Sequence, residues 1–254
     1  MKNNISAIVI TKNEEEKIGE CLDSLSWADE VLVIDTGSDD KTIQIATKRK
    51  AIVISFAKGG FSDWRNQGAI EAKSDWLLYV DADERVTPLL RKEILKVINS
   101  PTDIVLYAIP RRNIILGKEM KHGGWWPDHV KRLMKKEALV KWEGDLHENP
   151  VVKGELGHLV NPLVHLKHTK LSEMVEKTNK WSEIEAKLLL KSGHPKMAGW
   201  RFFRIMATEL WYRLIKLKGF LDGTEGVVYA IYQMWSKFVT YGKLWEMQLN
   251  RKKK

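Results

Sequence analysis

The sequence holds a single cysteine, Cys21, in 254 residues, so an internal disulfide bond is excluded. A lone thiol is typical of proteins in a reducing compartment, and we expect a cytoplasmic location. The chain also lacks an uncharged apolar run long enough to cross a bilayer. The six mostly apolar residues after Asn4 are too few for the core of a signal peptide. These absences disfavour a secreted or membrane-spanning protein.

Two further absences narrow the class of protein. The dinucleotide-binding pattern G-x-G-x-x-G does not occur, which argues against a nicotinamide or flavin cofactor. Biased sequence is confined to the basic stretch 251–254. With 44% hydrophobic and 30% charged residues, the composition is that of a folded protein rather than a disordered or collagen-like one.

The positive charge is concentrated in the last third of the chain. Residues 167–254 hold 18 Lys and Arg against 8 Asp and Glu, whereas residues 1–166 hold 24 against 25. The last third is also rich in Trp, Tyr and Phe, a combination that suits an anionic membrane surface or a nucleic acid. Because the first two-thirds are nearly neutral and offer no surface that follows phosphates, nucleic-acid binding is the less favoured of the two.

Hydrophobic periodicity predicts strands that alternate with helices over the first 110 residues. The predicted strands are 5–10, 31–35, 51–56, 76–80 and 103–109, and the predicted helices are 14–25, 41–50, 63–73 and 86–99. This alternation predicts an α/β fold with a mostly parallel sheet and helices on both of its faces.

After Pro110 the pattern changes to short strands among loops, and then to helices. Strands are expected at 131–135, 139–142 and 163–167, and helices at 171–191, 200–218 and 223–250. We therefore predict a nucleotide-binding and catalytic domain over residues 1–168 and a basic, aromatic-rich helical extension over residues 169–254.

The sharpest chemical feature is the segment WLLYVDADE at 76–84. Its apolar strand delivers Asp81 and Asp83 to the carboxyl end, which is where ligands bind in open α/β sheets. If the strand stays extended through Ala82, the two carboxylates lie on the same side. Paired hard oxygen ligands suit Mg²⁺ or Mn²⁺ bound together with a substrate phosphate. A charged turn that merely ends the strand is the alternative.

Polar residues also follow the first two strands. Thr11, Asn13 and Glu14 come after the first strand, and Asp35 and Ser38 come after the second. Helix N-termini and small polar turns at such points bind the base, ribose and phosphates of nucleotides. We expect these strand ends to form a nucleotide-binding edge.

Four segments, in this order, carry a resemblance to the family 2 inverting glycosyltransferases with the GT-A fold. They are AIVITKNE at 7–14, VLVIDTGSDDKT at 31–42, RNQG at 65–68 and DADE at 81–84. Two later segments, WEGDLHE at 142–148 and GFLDG at 219–223, resemble the subgroup of lipopolysaccharide-core β-1,4-glucosyltransferases.

The resemblance implies a metal-dependent, inverting transferase that moves a hexose from a nucleotide diphosphate sugar to a lipopolysaccharide-core or other glycolipid acceptor. Glucose from UDP-glucose is the expected donor group, and Mg²⁺ or Mn²⁺ held by Asp81 and Asp83 is the expected cofactor. The residues expected to bind the donor are Thr11, Asn13, Glu14, Asp35, Ser38, Arg65, Asp81, Ala82, Asp83 and His147. The resemblance further implies that Arg65 helps to stabilise the charge that develops on the leaving diphosphate.

The acceptor hydroxyl needs a general base, and Glu148 is the candidate, with Asp145 as the alternate. His147 serves the diphosphate or the metal, unless this segment is a plain surface loop. A strand position makes His165 and His168 poor candidates for a metal pair. The basic side chains expected on the acceptor side suit an acidic acceptor, although solvent exposure is the simpler interpretation for each: Arg111, Arg112, Lys131 and Arg132.

Two alternatives for the function stay open. In the first alternative, an enzyme of the same fold acts on a polyprenyl phosphate or a peptide. In the second, the chain is a noncatalytic nucleotide-binding protein at a membrane surface. An intact set of carboxylates at Asp35, Asp81, Asp83 and Glu148 argues against the second alternative.

The predicted helix 200–218 has an apolar stripe, expected to pack inward, that comprises Phe203, Met206, Ala207, Leu210, Leu214 and Leu217. Phe202, Ile205, Tyr212 and Ile215 fall outside this stripe, among arginines. Aromatic and basic side chains mixed on one side of a helix are typical of a membrane interface. We therefore predict peripheral attachment to the inner face of the cell membrane through the C-terminal helices.

Overall fold

The computed structural model describes residues 3–144 and 148–250. The strands among these residues are β1 (Ile5–Thr11), β2 (Glu30–Asp35), β3 (Ile52–Ser55), β4 (Trp76–Asp81), β5 (Glu84–Val86), β6 (Ile104–Ile115), β7 (Lys118–Glu119), β8 (Asp128–Lys135), β9 (Leu139–Glu143), β10 (Asn149–Val152), β11 (Glu155–His158) and β12 (Leu163–His168). The α-helices are α1 (Ile18–Ser24), α2 (Thr42–Lys48), α3 (Phe61–Glu71), α4 (Pro88–Ile98), α5 (Leu171–Lys191), α6 (Gly199–Trp211) and α7 (Gly223–Asn250). Single turns of 3₁₀ helix at Lys136–Ala138 and Gly219–Asp222, and of π-helix at Tyr212–Lys216, complete the structure.

The main sheet has the strand order β3-β2-β1-β4-β8-β6-β12-β5. The first four strands run parallel, and β1 lies between β2 and β4, with Ile8 opposite both Leu32 and Tyr79. Strand β8 then pairs antiparallel with β4 and with β6. A separate pair, β9 and β10, runs antiparallel. Four of the five strands predicted before Pro110 therefore form the parallel half of the sheet. The fifth, β6, lies instead in the mixed half, where it pairs antiparallel with β8.

Helices cover both faces of this sheet because the side chains of each strand alternate between two apolar layers. Ile5, Ala7 and Val9 of β1 pack in one layer with side chains of α1, α2 and α4. Ile8 and Ile10 pack in the other layer with α3. Cys21 is fully buried in the first layer as a free thiol. The predicted α/β fold with helices on both faces is confirmed.

The first helix is shorter than its periodicity indicates. The pattern predicts a start at residue 14, but α1 begins at Ile18. Residues 14–17 form a turn in which the Lys17 N–H donates to the Glu14 carbonyl at 2.9 Å. Asn13 has a φ of +54°, a left-handed conformation that reverses the chain after β1 and delays the helix.

The chain divides into two compact units, one of residues 1–112 and 128–165, and one of residues 113–127 and 166–254. The predicted functional division after residue 168 stays a prediction, and the second unit contains a segment, 113–127, that the prediction assigns to the first domain. Among the described helices, none combines the length and the apolarity needed to span a membrane.

The second unit packs helix α6 against α5 and α7. Phe202 and Ile205 of α6 lie against a core that includes Ala186 and Leu244. Phe203, by contrast, is 77% exposed. The prediction that Phe203 belongs to an inward stripe, with Phe202 and Ile205 outside it, is therefore wrong. Apolar residues surround much of this helix, so its periodicity does not identify the face that packs.

The GFLDG segment has a structural role within the second unit. The carboxylate of Asp222 accepts hydrogen bonds from the backbone N–H groups of Lys121 and His122 and lies 2.8 Å from Nδ1 of His122. A Cβ atom on Gly226 of α7 would come within 2.1 Å of the Gly219 carbonyl oxygen, so the close packing of these backbones requires glycine. The motif thus anchors residues 121–122 to the turn before α7.

Candidate active site

The buried strand β4 ends at Asp81, at the carboxyl edge of the parallel strands. Ala82 and Asp83 form a turn, and Glu84 begins β5. A carboxylate oxygen of Glu84 accepts the Asp81 N–H at 2.9 Å, which closes this turn. The strand therefore does not stay extended through Ala82, and the alternation that places Asp81 and Asp83 on one side does not apply.

Asp81 lies between two arginines. Nη2 of Arg65 donates to Oδ1 of Asp81 at 3.2 Å, and Nη2 of Arg132 donates to Oδ2. Partial burial alone would raise the pKa of Asp81, but the positive charges of Arg132 and Arg65 outweigh burial and hold this pKa well below its usual range. Asp81 is therefore a carboxylate at any pH near neutral.

Arg65 also connects Asp81 to the candidate base. It extends from α3, is 3% exposed, and brings Nη2 within 2.9 Å of Oε1 of Glu148. Its guanidinium lies 4.8 Å from the centre of the Trp142 ring, and the Tyr79 hydroxyl donates to the Arg65 carbonyl at 3.0 Å. The structure thus brings three predicted site residues together, Arg65, Asp81 and Glu148, and places the cation between the two carboxylates.

Glu84 extends this cluster to Arg132 and Arg111, which are predicted on the acceptor side, and through Arg111 to Asp128, which the sequence did not single out. Glu84 is fully buried, and its Oε1 accepts from Arg132 at 3.2 Å and from Arg111 at 3.3 Å. Arg111 in turn lies 2.8 Å from Asp128. We call the whole set the arginine–carboxylate network, which consists of Arg65, Arg111, Arg132, Asp81, Glu84, Asp128 and Glu148.

The expectation that Arg132 is solvated is wrong, because its side chain is buried on β8 between two carboxylates. The sequence carries only a weak signal, since Arg132 directly precedes the apolar pair Leu133 and Met134 in a predicted strand. A cation in such a position requires buried partners. Which partners these are depends on strand pairing between segments 51 and 48 residues apart.

A second group that can bind a divalent metal lies next to Asp83. Oδ2 of Asp83 lies 3.5 Å from Nε2 of His165, a buried residue on β12. An oxygen and an imidazole nitrogen at this separation fit two neighbouring positions around one ion, with the remaining positions free for phosphates and water. Among the described residues no group of three or more His, Cys, Asp and Glu side chains is arranged to hold a metal. Asp83 and His165 therefore fit an open site, and the metal roles of both Asp81 and Asp83 stay predictions.

The ends of β1 and β2 meet as expected. Thr11 pairs with Asp35, and Ile10 pairs with Asp81, so the three strand ends lie side by side. The Asn13 N–H donates to Oγ of Ser38 at 3.0 Å. Asp35 is buried, and its carboxylate accepts from the backbone of Gly37 and of Ser38, both at 3.1 Å.

These contacts organise the loops, and a nucleotide-binding role for Thr11, Asn13, Glu14, Asp35 and Ser38 stays a prediction. The Glu14 N–H donates to the Thr42 hydroxyl at 2.8 Å. Ala82 is buried, and its predicted role in donor binding stays a prediction as well. Asp145 and His147 lie outside the described residues.

Comparison with known proteins identifies the family of the chain. Residues 6–149, more than half of the chain, match Glycosyl transferase family 2. The protein therefore belongs to this family. It is 27% identical over 271 residues to the lipopolysaccharide core biosynthesis glycosyltransferase LpsC of Rhizobium meliloti, with 95% of this chain and 92% of LpsC covered. It is 25% identical over 264 residues to an uncharacterized glycosyltransferase of Rickettsia conorii, with 99% and 93% covered.

Solved structures are more distant. Glucosyl-3-phosphoglycerate synthase from Mycobacterium tuberculosis, crystallised with Mn²⁺, UDP and glucosyl-3-phosphoglycerate, is 20% identical, with a TM-score of 0.43 and coverage of 54% of this chain and 58% of that one. Mannosyl-3-phosphoglycerate synthase from Rubrobacter xylanophilus is 19% identical, with a TM-score of 0.44 and coverage of 54% and 55%. The chain thus spans little more than half the length of these structures.

The predictions of a family 2 glycosyltransferase and of the GT-A fold are confirmed by family membership and by the strand order.

Proposed function

We propose that the protein transfers a hexose, with inversion, from a nucleotide diphosphate sugar to a glycolipid of the lipopolysaccharide-core type. The observation that carries this proposal is the position of Arg65, between Asp81 at the sheet edge and Glu148. In such a transfer one group leaves as an anion, which a neighbouring cation stabilises, and another group loses a proton, which a neighbouring carboxylate accepts.

The arginines of the network suit the leaving diphosphate. When the anomeric C–O bond breaks, both bonding electrons leave with the diphosphate oxygen, and negative charge develops there. Arg65 and Arg132 are buried and preoriented by Asp81 and Glu84, so they stabilise such charge with little reorganisation. Arginine also matches phosphate oxygens by two parallel hydrogen bonds.

Glu148 is the proposed general base. The oxygen of the acceptor hydroxyl forms the new bond to the anomeric carbon from the face opposite the departing diphosphate, and the hydroxyl proton passes to the Glu148 carboxylate. The Arg65 contact fixes the orientation of this carboxylate, which is 16% exposed and so is reached from solvent. Asp145 is the alternate base.

A divalent cation completes the proposal. Bound Mg²⁺ or Mn²⁺ supplies positive charge against the leaving diphosphate, and Asp83 and His165 are the residues that would hold it. Donor phosphates and water would take the remaining ligand positions, which agrees with the small number of protein ligands.

The substrate assignment is supported by the relatives. LpsC is named for lipopolysaccharide core biosynthesis, and the similarity extends over 95% of this chain, including the helical region. We propose glucose, carried by UDP, as the transferred sugar, in line with the subgroup that segments 142–148 and 219–223 resemble. A cytoplasmic protein at the inner face of the membrane would meet both a nucleotide sugar and a lipid-linked acceptor.

The test is a transfer assay with purified full-length protein. UDP-glucose, UDP-galactose and a mannose donor are each offered with a truncated lipopolysaccharide core, with Mn²⁺ or with a chelator, and products are analysed by mass spectrometry and by NMR of the new anomeric centre. The expected product carries one added hexose in the β-configuration when the donor is an α-linked UDP-glucose. An α-configured product, or transfer that is unaffected by the chelator, contradicts the proposed mechanism.

A further inference from the structure

Helix α6 has two apolar faces, and only one of them packs within its own compact unit. Phe202 and Ile205 lie against the core formed with α5 and α7. The other face consists of Trp200, Phe203 and Trp211 of α6, together with Tyr212 and Ile215 of the π-helical turn that follows, and we call it the α6 aromatic face. Positions 200, 203 and 211 share one side of the helix by the spacing of three and four residues. When one apolar side of a helix packs in the protein core, the opposite apolar side needs another apolar surface to cover it.

The exposure of this face is large for aromatic side chains. Phe203 is 77% exposed, Trp200 is 59% exposed and Trp211 is 55% exposed. Single exposed apolar residues are normal on protein surfaces, but a contiguous group of this size marks a site of interaction. Tryptophan and tyrosine are the side chains that concentrate where an apolar phase meets water.

The charged residues in the segment that carries the α6 aromatic face are mostly basic. Arg201 and Arg204 lie 4.7 Å and 5.3 Å from the centre of the Trp200 ring, and Lys216 lies 5.4 Å from that of Tyr212. Glu209 is the one acidic residue between 199 and 218, and it is neutralised by Arg213 at 2.8 Å. The face therefore presents aromatic rings with three cations beside them.

We propose that the α6 aromatic face inserts into the interface of a bilayer that contains anionic lipids. The rings then occupy the boundary between headgroups and acyl chains, while Arg201, Arg204 and Lys216 contact lipid phosphates. A second copy of the chain is a poorer partner, because a symmetric contact brings the same cations of both copies together. A lipid surface instead supplies both the apolar phase and the opposite charge.

This inference deepens the proposed function, since a glycolipid acceptor lies in a membrane. It is measured without donor or acceptor, however, and so it can fail while sugar transfer succeeds, or succeed while transfer fails. The probe is a set of vesicles, made of phosphatidylcholine alone or of phosphatidylcholine with phosphatidylglycerol, and binding of the full chain is followed by flotation.

We expect the wild-type chain to float with the vesicles that contain phosphatidylglycerol, less with neutral vesicles, and less again as salt is raised. The triple variant Trp200→Ser, Phe203→Ser, Trp211→Ser is expected to bind at least about tenfold more weakly, because it loses three apolar side chains that binding removes from water. The double variant Arg201→Gln, Arg204→Gln is expected to lose the preference for anionic vesicles.

The matched control is Ile70→Ser with Val160→Ser, two side chains that are 71% and 80% exposed in the other compact unit, and its binding should equal that of wild type. Melting temperatures show whether each variant is folded, and the single variant Phe203→Ser replaces the triple one if the latter unfolds. The proposal is overturned if wild type does not float with anionic vesicles, or if a folded variant of the face floats equally well. It is also overturned by ultracentrifugation that finds a dimer which the triple variant abolishes, or by tighter binding to an RNA oligonucleotide than to vesicles.

Discussion

Nη2 of Arg65 lies 2.9 Å from Oε1 of Glu148, and this ion pair connects helix α3 to the segment before β10. Because the pair is mostly buried, it fixes the direction in which the Glu148 carboxylate points. The contact joins residues 83 positions apart in the sequence, so the placement of the candidate base beside Arg65 depends on the tertiary structure.

For Glu148→Gln we expect kcat to fall by about 100- to 10,000-fold, the range that a positioned general base contributes. Donor binding should change little, because the amide oxygen still accepts the hydrogen bond from Arg65. Initial rates of transfer and calorimetric titration with UDP-glucose separate the two effects. Glu143→Gln, at an exposed carboxylate of β9, is the control and should keep wild-type rates. A Glu148→Gln enzyme within threefold of wild type would exclude the assigned role.

Metal binding should depend on Asp83 and His165. Each of the variants Asp83→Asn and His165→Gln is expected to weaken Mn²⁺ binding in the presence of UDP by at least about tenfold, since even outer partners of metal sites change affinity by that much. Free Mn²⁺ is measured by electron paramagnetic resonance. His158→Gln, at an exposed histidine of β11, is the matched control. Unchanged Mn²⁺ affinity in both site variants would contradict the assignment.

Arg132 should contribute to stability as well as to the site. Arg132→Gln leaves the buried carboxylate of Glu84 with one cation fewer, and we expect the free energy of unfolding to fall by about 3–5 kcal/mol. Urea denaturation measures this difference. The control is Arg49→Gln, which removes an exposed ion pair with Asp23 and should cost less than about 1 kcal/mol. If the two variants lost the same free energy of unfolding, burial of the ion pair would not determine how much it contributes to stability.

The low pKa of Asp81 predicts a pH dependence of stability. Its pKa is lowered in the folded chain from about 3.9 in the unfolded chain, so the carboxylate stabilises the fold at all pH values above the unfolded pKa. That contribution is lost as pH falls through the folded pKa. Asp81→Asn should therefore lower the free energy of unfolding at pH 7 and differ less from wild type at the lowest pH where folding persists.

Denaturation at several pH values tests this prediction. Asp103→Asn, at an exposed carboxylate just before β6, should change the free energy of unfolding by less than about 0.5 kcal/mol at every pH. A gap between wild type and Asp81→Asn that widens as the pH is lowered would have the wrong sign.

The local hydrophobic pattern was enough to predict the strands in the parallel half of the sheet. The strands β1, β2 and β4 are apolar runs buried on both faces, and such runs can be recognised one at a time. The hydrophobic pattern was less reliable at α6, because apolar residues lie on several sides of that helix. Periodicity predicted that Phe203 points inward, whereas in the structure Phe202 and Ile205 do so.

The amino-acid sequence by itself determined the α/β fold class, the family and the strand end that carries Asp81. Each of these three features can be recognised from short contiguous segments of the sequence. Only the tertiary structure decided that Asp83 lies beside His165, 82 positions away, and that Arg132 lies between Asp81 and Glu84. The physical reason is that a buried charge must find an opposite charge in three dimensions, and strand order, not spacing along the chain, sets which charges meet.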